Sequence, residues 1–152
     1  METAGYSQTP LAKKLGIKKG FHIRLVNQPG YYLSLFEDMP ADVKLLHEKK
    51  SPKHLVHYFA REARYLRKDL PALKKEIEPD GMIWVSWPKK ASKVLTDITE
   101  DTVRELALAN GLVDIKVCAI DETWSGLKLV IPVKDRRPIN LKNSLSKLSP
   151  PV

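Results

Sequence analysis

Phe59, Ala63, Leu66, Leu70, Leu73 and Ile77 follow one another at steps of four and three. That spacing predicts one apolar stripe along a helix, with Arg64, Arg67, Lys68, Lys74 and Lys75 lying off it. Pro71 interrupts the pattern. An interior proline forfeits one main-chain bond and clashes with the preceding turn, at about 3 kcal/mol, so a kink or a break is expected there. Upstream, "FHIRLV" (21–26) predicts a strand ended by the turn formers "NQPG" (27–30). A short helix over "YYLSLFEDM", a second strand at "DVKLLH" (42–47) and a third at "HLVHYFA" (54–60) follow.

Downstream of the long helix, "EPDG" (78–81) predicts a turn and "MIWVSW" (82–87) a strand of strong β formers. Asp97 with Glu100 suggests a capping box, with Thr99 as the alternative cap; Val103, Leu106, Ala107 and Asn110 then share a face that Gly111 ends. "LVDIKVCAID" (112–121) and "GLKLVIPV" (126–133) predict two strands joined by a short connection, an antiparallel hairpin. The alternation predicts an α/β fold: a single Rossmann-like domain whose sheet of about six strands is mostly parallel, with helices on both faces and a C-terminal antiparallel hairpin. Residues 21–133 are expected to form this domain. Residues 1–20 read as an arm with one helical turn stopped by Gly16 and packed through Leu11, Leu15 and Ile17. Residues 134–152 read as a basic, proline-ended tail in which Ile139, Leu141, Leu145 and Leu148 are the residues able to dock.

The net charge of +8 changes little, because it sits at the ends. Residues 1–20 carry +3, residues 134–152 carry +4 and the middle only +1. Weak attraction to polyanions through the termini fits that distribution, whereas a dedicated nucleic-acid face does not. With one cysteine, Cys118, an internal disulfide is excluded, and a reducing, cytoplasmic setting is expected. No apolar run has signal-peptide or membrane-span character, so no membrane role is expected. Whether the protein is a monomer or a homodimer is open at this level.

Four stretches resemble a bacterial family defined only as a domain of unknown function: "GYSQTPLAKKLGIKKG" (5–20), "DGMIWVSWPKK" (80–90), "TDITEDTVRELALANGLVD" (96–114) and "KVCAIDETWSGLKLV" (116–130). The resemblance covers residues 4 to about 131 and implies no activity. More distantly, "HLVHYFAREARYLRKDLPALKKEIEPDGMIWVSW" is similar to the second half of the class I S-adenosylmethionine-dependent methyltransferase fold. "GLVDIKVCAID" with "WSGLKLVI" is similar to its closing hairpin. That family's first strand ends in a Gly-rich turn, and an acid ending its second strand holds the ribose. Here the turn is "NQPG" and the second strand ends "LLHEK", where Glu48 is a shifted acid at best. The resemblance therefore implies the half-fold, with S-adenosylmethionine as a candidate cofactor whose Gly-rich motif is absent.

In open parallel sheets, ligands sit beyond the carboxyl ends of the strands. The predicted order brings Asn27, Gln28, Gly30, His47, Phe59, Ser86, Trp87, Lys89 and Lys90 to that edge, with Thr96, Asp97 and Thr99 nearby. Lys89 and Lys90, backed by main-chain N–H groups, are candidates to grip a small anionic ligand, together with Asn27, Gly30, Ser86, Thr96 and Asp97. The plain alternative is a pair of solvated lysines at a strand end. Trp124, Asp121 and Glu122 form a candidate interaction surface at the hairpin, unless Trp124 is tucked back as a plug. His54 and His57 point to opposite faces of a strand, and no metal-ligand motif is present. Ser86 and Ser125 are outside any nucleophile-elbow motif, and Cys118 reads as a buried small hydrophobe. By subtraction, the expectation is a non-catalytic module binding a small anion or a protein partner. The alternative is a reduced S-adenosylmethionine-dependent methyltransferase-like enzyme.

Overall fold

The computed structural model describes residues 9–137. In chain order they form α1 (Leu11–Leu15), β1 (His22–Val26), a 3-10 turn (Tyr32–Leu35), β2 (Lys44–Leu45), β3 (Lys53–Phe59), α2 (Ala63–Glu76), β4 (Ile77–Pro88), α3 (Glu100–Ala109), β5 (Val113–Ala119) and β6 (Trp124–Val130). The strands make one six-stranded sheet in the order β2-β1-β3-β4-β6-β5. β1 to β4 run parallel, and β6 is antiparallel to both β4 and β5. The α/β fold with its antiparallel closing hairpin is as the pattern predicts. No helix among the described residues is long and apolar enough to cross a membrane.

Each face of the sheet carries its own core. Leu66, Leu70 and Leu73 of α2 and Val103 and Ala107 of α3 pack on Val56, Ile83, Val85, Leu127 and Leu129. On the other face, Leu11 and Leu15 of α1 join Ile23, Tyr32, Leu55, Phe59, Trp84 and Trp124. The Trp84 indole N–H donates to Leu15 O at 2.9 Å, which fastens α1 to the middle of the sheet. Gly16 ends α1 with φ 82°, a left-handed stop that suits glycine.

Several local expectations need correction. Phe59 ends β3, as the strand over 54–60 predicts, and the apolar stripe of α2 starts only at Ala63, because the Phe59 main chain pairs with Ser86 of β4. α2 runs unbroken through Pro71, since Arg67 and Pro71 are both exposed and water can take up the carbonyl left without a donor. "EPDG" lies inside β4, where the pairing with β3 is irregular between Lys53 and Leu55. A Cβ on Gly81 would stand 3.0 Å from Lys53 O and 3.1 Å from Glu78 N, so a side chain here would press on main-chain atoms. The second strand shrinks to two residues and the helix after the first to a 3-10 turn. Thr99, not Asp97, caps α3: its side chain accepts from Thr102 N–H, and the Thr102 hydroxyl accepts from Thr99 N–H. The docking residues expected in the tail, Ile139 to Leu148, lie outside the described residues.

At the amino end of the parallel strands, charges are buried together. Arg24 of β1 binds Glu76 of α2 through Nε at 2.5 Å and Nη2 at 2.9 Å. Lys53 of β3, fully buried, reaches the same carboxylate at 3.3 Å. This triad ties β1, β3 and the end of α2 into one unit.

Candidate functional site

From β1 the chain moves outward to β2, then returns to place β3 on the other side of β1. Strand order reverses between β1 and β3, the position at which open α/β sheets hold ligands. A cleft of about 570 Å³ opens there. Asn27 and Gln28 line it from the end of β1, Tyr58 to Ala60 from the end of β3, and Arg61, Glu62, Tyr65 and Asp69 from α2 and the turn before it. Trp124 of β6 completes the lining.

The sequence builds these walls locally. Asn27 takes φ 60°, a left-handed conformation that asparagine tolerates better than most residues, and this swings the chain off β1. Its amide Nδ2 lies 3.5 Å from Phe59 O, spanning the two strand ends. The opposite wall is clamped from a distance. Ala63 N–H, an orphan donor in the first turn of α2, donates to Asp97 Oδ1 at 2.8 Å. Thr96 Oγ1 donates to Arg61 O at 2.6 Å, and Asp97 N–H donates to the same carbonyl at 3.3 Å. Thr96 and Asp97 thus shape the cleft wall without lining the cleft.

Trp124 is tucked in, 5% exposed, with its edge against Phe59. It is the plug of the two readings of the hairpin. Asp121 makes the turn before it, Oδ1 accepting from Thr123 N–H at 2.8 Å and from Trp124 N–H at 2.7 Å. Asp121 Oδ2 accepts from the Tyr31 hydroxyl at 2.7 Å, which ties the hairpin to the loop after β1. Burial, and then the Asp121 carboxylate, raise the Tyr31 pKa, so the phenol stays a donor. Glu122 is exposed at the tip. On the α2 side, Tyr58 donates to Asp69, and burial, reinforced by that carboxylate, raises the Tyr58 pKa too.

Behind the aromatic floor runs a sealed polar chain. Tyr32 Oη lies 2.9 Å from His57 Nδ1, and His57 Nε2 lies 2.7 Å from Ser86 Oγ. Burial lowers the His57 pKa to about 3, leaving a neutral imidazole. Ser86 is fully buried and takes no part in the sheet edge where the sequence put it. A Ser–His contact here is a satisfied core network. Its only sequence signal is a serine inside an otherwise apolar strand and a histidine inside another.

The remaining candidates fall elsewhere. Lys89 N–H donates to Thr123 O at 2.7 Å, so the hairpin covers the end of β4, and neither Lys89 nor Lys90 lines the cleft. Gly30 and His47 line a second, more apolar cleft of about 350 Å³ on the far side of β1, with Leu25, Tyr32 and Leu46. Gln28 borders both clefts. Glu48 turns away from them. It accepts from Ser51 N–H and Oγ, bonds that hold its carboxyl near a pKa of about 2. Arg61, Tyr65 and Asp69 were not singled out from sequence, because only the placement of α2 beside the end of β1 gives them a shared surface.

No family model matches this sequence, and no curated protein matches it. Solved structures do. A SAM-dependent methyltransferase from Aquifex aeolicus superposes with a TM-score of 0.57 at 15% identity, covering 80% of this chain and 88% of that one. A ribosomal protein L11 methylase from Lactobacillus delbrueckii subsp. bulgaricus gives 0.52 at 12% identity, over 80% and 74% of the two chains. An O-methyltransferase from neocarzinostatin biosynthesis, solved with S-adenosylmethionine and a naphthoic acid, gives 0.56 at 12% identity, over 84% of this chain and 51% of that one. At such identities the likeness is one of fold, and it agrees with the distant resemblance seen in the motifs. It overturns the expectation of a non-catalytic module and favours the methyltransferase-like alternative.

Proposed function

We propose that this protein is a reduced S-adenosylmethionine-dependent methyltransferase-like enzyme that takes its cofactor in the cleft between β1 and β3. The observation that carries this reading is the cleft itself, about 570 Å³ at the strand-order reversal, within the range of small-molecule sites. Its donor set suits the cofactor. The Asn27 and Gln28 amides can meet ribose and carboxylate oxygens, Arg61 can pair with the carboxylate, and Phe59, Tyr65 and Trp124 offer apolar and aromatic surface to the base. The ribose acid expected from the second strand is absent from this edge, because Glu48 is bound to Ser51, so those amides would take its place. The bound cofactor supplies an electrophilic methyl group. The chain's part is to bind and orient it and to present the Tyr58–Asp69 wall to an acceptor hydroxyl or amine.

Calorimetry with S-adenosylmethionine and S-adenosylhomocysteine tests the reading, with thermal unfolding alongside. Ligand at 100 times its dissociation constant adds about 2.7 kcal/mol to stability. Gln28→Ala and Arg61→Ala, both at the surface, are expected to weaken binding while the free protein melts as before. A titration that gives no heat and no stabilisation up to millimolar ligand would exclude this cofactor.

A further inference from the structure

On the face of the sheet covered by α1, four lysines gather. Lys116 of β5 and Lys128 of β6 are direct partners across the antiparallel ladder, an arrangement in which like charges are destabilising. Lys14, in the last turn of α1, donates from Nζ to Ala119 O at 3.0 Å, and Lys116 donates from Nζ to Lys14 O at 3.2 Å. These contacts keep two ammonium groups beside the ladder. Lys18, two residues past Gly16, adds a charge that also acts on Lys128. Among the described residues, none of the four forms an ion pair with a carboxylate.

Lys128 differs from its companions. It is half-buried, with Trp84 as its partner on β4, and Gly16 lies over its end. A Cβ at Gly16 would stand 3.8 Å from Lys128 Nζ, which places that nitrogen beside the turn that ends α1. The charged groups that face it are Lys116 from β5 and Lys18 from the segment after α1; β4 contributes the uncharged Trp84 and Met82. Burial first, then Lys116 and Lys18, lower its pKa, so more of this amine is neutral than of a solvated lysine. An amine flanked by Lys116 and Lys18, with no carboxylate paired to it among the described residues, gains stability by becoming an anion.

We propose that Lys128 is a carbamylation site, where Nζ adds to carbon dioxide and the resulting carbamate is held by Lys116 and Lys18. The nitrogen lone pair forms the N–C bond, one C–O π pair moves onto oxygen, and the amine proton leaves to water. Carbon dioxide is the only co-reactant. The step converts a repulsive lysine cluster into an ion-paired one, and it reverses in acid as the nitrogen takes the proton back.

The test incubates the full-length protein with isotopically labelled bicarbonate at mildly alkaline pH and traps carbamates by alkylation with a trialkyloxonium salt. Peptide mapping then locates the label. The expected result is label on Lys128 several-fold above that on the exposed Lys68 and Lys75, lost in Lys128→Arg and reduced in Lys116→Gln. Bicarbonate should also raise the melting temperature of the wild type and not of Lys128→Arg. Label spread evenly over the lysines, or absent from Lys128, would overturn the proposal, and neither reading depends on how the variants fold.

Discussion

Trp124 meets Phe59 edge-on, with ring centroids 5.0 Å apart and planes at 90°, so an aromatic from the antiparallel strand closes over the end of a central parallel one. Phe59 in turn stacks on His57 at 4.3 Å, which continues the contact inward to the polar chain. Trp124→Ala removes a large, nearly buried ring from the cleft floor. The expected loss is about 3–5 kcal/mol in urea unfolding. A variant that unfolds at the wild-type midpoint would show that the ring is not a plug.

Buried Glu76 is the shared partner of two cations, the half-buried Arg24 and the fully buried Lys53. Glu76→Ala leaves both without it, at an expected cost of about 3–5 kcal/mol. Removing Arg24 as well should cost less than the sum of the single changes, which a double-mutant cycle reads directly.

His57 gives the fold an acid limit. Its pKa falls from 6.5 in the unfolded chain to about 3 in the folded one, because burial penalises the charged ring. Between those values the unfolded chain binds the extra proton, so stability is full above pH 6.5 and declines as pH falls toward 3. His57→Asn keeps a polar side chain and cannot titrate. Within that window the wild-type slope of stability against pH should exceed the variant's by about one proton. Equal slopes would contradict the buried neutral state.

Gly126 sits where the sheet leaves no room. A Cβ there would lie 3.0 Å from Ile120 Cδ1, 3.1 Å from Trp84 Cε3 and 3.2 Å from Ser86 Oγ. Gly126→Ala should destabilise by about 1–3 kcal/mol through overpacking. Heteronuclear NMR should place the largest shifts at Trp84 and Ser86, and a wild-type melting curve would refute the tight fit.

The sequence made the architecture legible wherever a periodic pattern ran long enough. The stripe through Leu66, Leu70 and Leu73 and the apolar strand around Trp84 each carry a period that few alternatives share. Short elements failed because pairing, not local preference, fixes them. Phe59 fits both the helical stripe and the strand over 54–60, and its pairing with Ser86 decides for the strand. The cleft was half legible. Asn27 follows from the turn after β1, but Asp97 acts through a bond to Ala63 that spans 34 positions, and no local signal announces it. Lys89 and Lys90 looked like a grip because they follow a strand at the right edge. The β5–β6 hairpin, antiparallel to its neighbours, occupies that end of β4 instead.

The bond from Asp97 to Ala63 has a consequence for how the protein can be divided. The α2 wall of the cleft follows β3 in the chain, yet it is held by the connection that follows β4. The front half of the sheet therefore borrows a fastening from the back half. A fragment ending after β4 would contain every residue of that wall and still lack its clamp. Permuting or splitting the chain between residues 89 and 96 should loosen a surface encoded some thirty positions earlier.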